Sequence, residues 1–254
     1  MRQLLIRADD IGYSYAVNVG IARSVTEGLV RSVGVMPNMP EAPRGVSWIR
    51  DADIAIGQHT NVCLGRPCAD PALAPSLLAG DGTFKSSRAY RSAFAEGVDF
   101  VDYDEAVIEI EAQLARFLEI VGREPDYFEA HAVMSENLNR AVGDVAREHG
   151  YRFQAASFDP TVAVRCGSTP VRMVMRSMQP GYDPKVAIKE TVRDMVDGET
   201  VVFVCHPGYL DQFILQTSSL TEDRTKEVDA LIDPELRAWL AAQDGLRLVD
   251  YRDL

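Results

Sequence analysis

The sequence predicts an α/β protein, a parallel sheet with its helices packed outside it. Short apolar runs alternate with longer stretches of helical periodicity almost from end to end. Alternation of that kind needs crossover helices between parallel strands. The length of 254 residues is what a single α/β barrel commonly uses. About seven strand candidates suggest a closed or nearly closed barrel, although periodicity does not separate that from an open doubly wound sheet. No linker, internal repeat or biased tract interrupts the chain, so residues 1–254 are expected to form one domain.

The first strand is expected at 3–8, where Leu4-Leu5-Ile6 opens an apolar run. A helical pattern over 15–28 follows, with Asp10 or Ser14 available to cap it. Strand 32–36, helix 41–50 and strand 53–58 continue the rhythm. Residues 64–100 break it with Gly, Pro, Ser and aromatic residues, as a binding loop or lid would. Helix 104–121 places Ala106, Val107, Ile110, Leu114, Phe117, Leu118 and Val121 on one face, with Asp102 or Asp104 at its start. Strand 126–130, helix 136–149 and strand 151–154 come next, then a second break at about 156–184. Helix 185–196, strand 200–205, helix 222–243 and strand 246–250 complete the chain.

A formal net charge of −12, with the acidic residues scattered, opposes nucleic acid, whose phosphates require a basic face. It equally opposes an anionic membrane surface, and no apolar stretch approaches the ~20 residues of a membrane helix. A neutral or weakly basic small molecule suits the charge better. Cys63, Cys68, Cys166 and Cys205 form no C-x-x-C pair, and Cys205 ends an apolar run as a reduced core thiol would. No signal peptide precedes Leu4, so a cytoplasmic protein is expected.

Three of the four histidines fall where an expected strand ends: His59, His131 and His206. The pair Asp9-Asp10 ends the first strand in the same way. Carboxyl ends of parallel strands share one face, where ligands bind, so four distant segments deliver two carboxylates and three imidazoles to one rim. Each member alone has an ordinary explanation, a helix cap for Asp10 or a loop hydrogen bond for a histidine. His149 illustrates it: beside Gly150 at a helix end, it needs only the helix dipole. The coincidence of all five favours a site. One carboxylate and two neutral imidazoles suit zinc or a related divalent ion with open positions. The second carboxylate can take a proton from water and the third imidazole can protonate a leaving group, roughly 10²–10⁴-fold of assistance. That inventory suffices to hydrolyse an amide or ester.

These residues also carry a resemblance. Ala8-Asp9-Asp10-Ile11-Gly12 with Gly20-Ile21, Gly57-Gln58-His59-Thr60-Asn61 with Gly65-Arg66-Pro67, and His206-Pro207-Gly208-Tyr209 occur in that order. Arg224, Glu227, Asp233-Pro234-Glu235 and the closing Tyr251-Arg252-Asp253-Leu254 follow. The set resembles the YdjC-like (ChbG/HpnK-type) carbohydrate deacetylase family over nearly the whole chain. The resemblance implies a single irregular (β/α) barrel, NodB-like in site logic, that removes acetyl groups from N-acetylated sugars such as chitobiose-like oligosaccharides. It implies a divalent metal, zinc first and Mg²⁺, Mn²⁺ or Co²⁺ as alternatives, on Asp10, His59 and His131. Asp9 would be the general base and His206 the acid or leaving-group stabiliser. Asn61, Arg66 and Tyr209 would touch the sugar. A homodimer is compatible with the sequence; Phe84, Tyr90 and Phe213 are expected to be exposed, as a subunit contact or a sugar platform.

One block departs from the family. Where many relatives carry a histidine-rich "DSHxHxH", this chain reads Glu129-Ala130-His131-Ala132-Val133-Met134-Ser135. The implied metal triad stays whole while neighbouring positions turn apolar, and Glu129 is expected to orient His131 from behind. Two other readings remain at this point: a metal-dependent sugar isomerase or aldolase-type barrel, and a sugar-binding protein without turnover. Release of acetate separates the first from deacetylation, and tight binding without turnover would mark the second.

Overall fold

The computed structural model describes residues 1–156 and 163–254. The chain opens with β1 (Arg2–Ile11), α1 (Tyr15–Thr26), β2 (Ser32–Val35), α2 (Ala42–Ile49) and β3 (Ala55–Thr60). A long excursion containing α3 (Ser87–Ala95) leads to α4 (Tyr103–Val121), β4 (Phe128–Ala130) and α5 (Glu136–Glu148). The hairpin β5 (Val164–Cys166) and β6 (Thr169–Val174) precedes α6 (Pro184–Asp194) and β7 (Thr200–Cys205). Last come α7 (Gln212–Thr217), α8 (Glu222–Leu231), α9 (Pro234–Ala241) and β8 (Leu246–Val249).

The strands run in the order β4-β3-β2-β1-β7-β6-β5, parallel throughout except for the β5–β6 hairpin. One edge of β1 pairs with β7 along Gln3–Ala8. Its other edge is shared, with β8 against Arg2–Leu5 and β2 against Arg7–Ile11. The sheet curls until its ends meet through two single bridges, Phe128 to Phe153 and Gln154 to Cys166. This is the irregular (β/α) barrel, and its seam lies beside β4.

Leu5 and the inward residues Tyr127, Val171, Val202, Val249 and Tyr251 fill the barrel's interior. The opposite side of β1, Leu4, Ile6 and Ala8, packs with α1 and α2 into a larger core under the helices. A third cluster lies between α4, α5 and the excursion after β3. Helix starts follow local chemistry: Ser14 accepts from Val17 N in α1, and Asp102 from the Asp104 and Glu105 amides in α4. Because Ser14 caps α1, Asp10 is left for other work.

Several elements differ from the sequence reading. Residues 151–154 form the two bridges of the seam rather than a strand, being opposed by three-residue strands on either side. The stretch 222–243 is two helices, since Pro234 with the cap Asp233 starts a new one. Within the first break, Ser86 caps α3, whose Tyr90 is buried, as is Phe84 before it, against the expectation that both are exposed. On α4, Leu118 turns outward, whereas Glu109 and Gln113 are buried to hold the excursion after β3. In the second break stand β5 and β6, and residues 157–162 lie outside the described part.

Candidate functional site

The carboxyl ends of β1, β3, β4 and β7 meet at one mouth of the barrel. Normal alternation would send Asp9 and Asp10 to opposite faces of β1. The register with β2 shifts between Ala8 and Ile11, and Asp10 takes a left-handed φ of 81°. This bulge turns both carboxylates toward the mouth. His59 sits inside β3, one residue before its end, rather than after it; His131 directly follows β4, and Ala132 beyond it has φ 50°.

Asp10 Oδ1 lies 3.2 Å from both His59 Nε2 and His131 Nδ1, which are 2.8 Å apart. Donor atoms on a tetrahedral ion with bonds of about 2.0–2.1 Å would stand about 3.3 Å from one another. Asp10 Oδ1 is buried and has no hydrogen-bond partner among the described residues. A buried carboxylate oxygen without a hydrogen-bond partner, facing two imidazole nitrogens, is the donor arrangement of an Asp/His/His metal site. The three residues therefore fit a divalent cation.

The surroundings fix each ligand. Asp10 Oδ2 accepts from Arg224 Nη2 at 2.8 Å, and Arg224 also donates to the carbonyls of Leu220 and His206. Burial pushes Asp10 up, but Arg224 and His131 outweigh it and hold the carboxyl well below the usual range. His59 Nδ1 is hydrogen-bonded to Glu129 Oε1. Glu129 thus orients His59, not His131 as the sequence suggested, because β3 and β4 pair His59 with Glu129 across the sheet. Burial lowers His59, yet Glu129 and Asp9 prevail and raise it to about 9. Gly34 on β2 makes room for this pair: a methyl group there would stand 3.0 Å from His59 Cβ and 3.2 Å from Glu129 Oε1.

Asp9 belongs to a different layer. Arg7, two residues back and on the same face, donates from Nη2 to Asp9 Oδ2 at 2.8 Å and places Nε 2.7 Å from Oδ1. Its Nη1 donates to Tyr251 Oη, and its guanidinium stands 3.5 Å from Glu129. An arginine buried under two carboxylates pairs with both and holds them in place. His206 follows β7; its amide donates to Glu227 Oε2 at 2.6 Å and its Nδ1 lies 3.3 Å from Ser177 Oγ. Burial pushes His206 down to about 4, against the opposing pull of Asp10 and Asp9, so it is neutral at pH 7.

The structure thus gathers Asp9, Asp10, His59, His131 and His206. It treats the three expected sugar contacts differently. Asn61 is buried, its amide donating to Asn38 Oδ1 and Leu64 O and its oxygen accepting from Cys63 N, so it holds the turn after β3. Tyr209 accepts from Arg23 Nη1 along the outside of α1 and turns away from the triad. Arg66 is exposed, with Nη1 3.4 Å from Gly82 O. A groove of about 600 Å³ lined by Thr26, Arg31, Trp48 and Asp53 opens at the opposite end of the barrel, away from these groups.

The family model described as YdjC-like protein matches residues 3–242. The chain belongs to the YdjC-like protein family. It is 30% identical to a carbohydrate deacetylase of Geobacillus stearothermophilus over 99% of this chain and 98% of that one. It is 25% identical to carbohydrate deacetylase 2 of Listeria innocua serovar 6a, again over 99% and 98%. Among solved structures, an Enterococcus faecalis V583 protein named for cellobiose-phosphate cleavage superposes with a TM-score of 0.83 at 24% identity, covering 99% and 98%. A family 4 acetyl xylan esterase from Clostridium thermocellum matches at 0.52 and 12% identity, covering 99% and 89%. Both structural likenesses are of fold. Arg7, Arg224 and Glu227 escaped assignment in the sequence, although a charged residue inside the run Leu4-Leu5-Ile6-Arg7-Ala8 signals a buried pair.

Proposed function

We propose that this chain is a metal-dependent deacetylase that hydrolyses the acetamido group of an N-acetylated sugar, chitobiose-like or another N-acetylglucosamine oligosaccharide. The observation that carries the reading is the convergence of Asp10 Oδ1, His59 Nε2 and His131 Nδ1 beside a second, separately held carboxylate. A divalent ion on those three residues, zinc by its donor set, would supply Lewis acidity to the acyl carbonyl and to water.

The protein's own groups account for the protons. Asp9, paired with and aimed by Arg7, is the base that takes a proton as water attacks the acetyl carbon. The C–N bond then breaks, and the proton that Asp9 took from water passes by way of His206 to the departing amine. His206 is neutral at pH 7, so it accepts that proton during the cycle before handing it on, and Asp9 returns to its starting state. Acetate and a free amino sugar result. Arg224 holds Asp10 against rotation, and Arg66 remains the solvent-facing candidate for a sugar hydroxyl. The four cysteines are free, which fits a cytoplasmic setting, and no helix among the described residues is long and apolar enough to cross a membrane.

The test is acetate release from N-acetylglucosamine, diacetylchitobiose and longer oligomers, with and without a chelator. Chelator-sensitive acetate supports the reading. No acetate from any member with a metal-replete sample overturns it.

A further inference from the structure

We infer that Ser177 is a positioning residue for His206: its Oγ accepts the Nδ1 proton of the imidazole and leaves an unprotonated Nε2 turned into the mouth. The task given to His206 rests on the deacetylase reading, whereas its tautomer can be read without it.

Register brings the two side chains together. Strands β6 and β7 run parallel and pair Val174 with Phe203. Each segment then continues for three residues, to Ser177 and to His206. Ser177 is only 4% exposed, and its Oγ lies 3.3 Å from His206 Nδ1. Its neighbours Met175 and Met178 are 50% and 58% exposed. A buried hydroxyl in an otherwise outward-facing turn needs a hydrogen-bond partner, and His206 is the partner it meets.

The turn is held on both sides of the serine. Arg176 pairs with Glu190 on α6. Met178 takes a left-handed φ of 78°, which residues with a side chain seldom adopt, and Gln179 N donates to Arg176 O. Further on, Tyr182 Oη donates to Glu227 Oε1, while Glu227 Oε2 accepts from the His206 amide. One buried carboxylate thus fixes the far end of this segment and the backbone of the histidine together.

The direction of the hydrogen bond follows from the proton traffic. In a neutral imidazole one nitrogen donates and the other accepts, and the partner of the first settles the second. Burial keeps His206 neutral at pH 7. Strand β7 lies between β6 and β1, so Ser177 stands on one side of the ring and the two aspartates on the other. A hydroxyl donating to Nδ1 would leave the proton on Nε2, and the edge toward Asp9 could take no other. With Nδ1 donating to Oγ, Nε2 keeps its lone pair, receives the proton and hands it to the amine. The bond to Ser177 persists throughout, because Nδ1 carries its proton in imidazole and imidazolium alike.

The experiment is nitrogen NMR of the imidazoles in the zinc-loaded wild type and Ser177→Ala at pH 7, with the His206 signals identified by their loss in His206→Gln. It is paired with kcat and KM for acetate release from diacetylchitobiose. The wild type should show the Nδ1–H tautomer and the alanine variant a shift toward Nε2–H. The variant's kcat should fall about tenfold, the worth of one hydrogen bond, with KM within about twofold of wild type. A wild-type ring protonated on Nε2, or a tautomer that Ser177→Ala leaves unchanged, overturns the inference whatever the protein hydrolyses. A changed tautomer with unchanged kcat overturns the positioning role. An Nδ1–H ring in a wild type that releases no acetate from any N-acetylated sugar upholds the hydrogen bond and overturns the deacetylase reading instead.

Discussion

Replacing Glu129 with glutamine separates two things its carboxylate does for His59. It takes the Nδ1 hydrogen bond that fixes the tautomer and leaves Nε2 for the ion, and its charge helps to raise the ring to about 9. Near pH 9 about half the rings are already unprotonated, so proton competition is small. Loss of the orienting partner should then appear in full, as ion binding about 10–100-fold weaker. At pH 7 a ring titrating near 9 is almost fully protonated, and displacing that proton costs ~2.7 kcal/mol, two pH units at ~1.36 each. Glutamine removes the Glu129 charge and leaves burial, which lowers His59, opposed by Asp9 and Asp10 alone, so part of that ~100-fold competition disappears and offsets part of the lost orientation. The variant should therefore fall furthest below wild type at pH 9 and stand closer to it at pH 7. Its plot of log Kd against pH should be shallower than that of wild type. Zinc titration against a competing chromophoric chelator between pH 7 and 9 reads both quantities. Parallel plots at equal affinity would refute the reasoning, because Glu129 would then neither orient nor charge His59.

Asp10→Asn should strip the ion while Asp9→Asn keeps it and loses roughly 10²–10⁴-fold in turnover; metal analysis beside acetate release checks this, and the reverse pattern exchanges the two roles. Gly34→Ala should cost about 1–3 kcal/mol by crowding His59 and Glu129, read as a lower urea midpoint in the presence of chelator; an unchanged midpoint would show that the pair moves freely. Glu227, fully buried and raised to about 7 by burial, binds its proton more tightly folded than unfolded. Its contribution is therefore present below the ordinary carboxylate range and is lost as pH rises toward 7, by up to ~3 kcal/mol. Glu227→Gln should accordingly gain on wild type between pH 5 and 8 in urea melts with chelator, and a constant difference would exclude that titration.

The site was legible in the sequence because the carboxyl ends of parallel strands converge, whatever the intervening loops do. His59, His131, His206 and the two aspartates needed only approximate strand ends, and shifting β3 by two residues left His59 at the mouth. The partners were less visible. The bulge at Asp10 depends on a register shift against β2, which no local pattern announces. Glu129 reaches His59 through cross-strand pairing, not through its own neighbour His131. Arg224 and Tyr209 depend on how the segment after β7 lies over α1, a packing set by Gly20 against Gly208, where a methyl group on Gly20 would come within 2.5 Å of the opposing Cα. The β5–β6 hairpin did have a signal, Gly167-Ser168 between two short runs, but strands of this length are easily taken for loop. Phe84 and Tyr90 misled because a segment without periodicity can still own a core.

The shared edge of β1 also has a consequence for how the protein comes into being. Its partners β7 and β8 are translated about 200 and 240 residues later. At ~5–20 residues per second the oldest strand waits on the order of 10–50 s for its neighbours. During that wait Leu4 and Leu5 are unpaired on both edges and Ile6 on the edge that β7 takes, so the nascent chain is open to chaperones and to mispairing. Asp10 likewise lacks Arg224 until the last part of the chain emerges. Asp10, His59 and His131 are thus made well before the arginine and the strands that lock them, and the site becomes rigid only when the barrel closes.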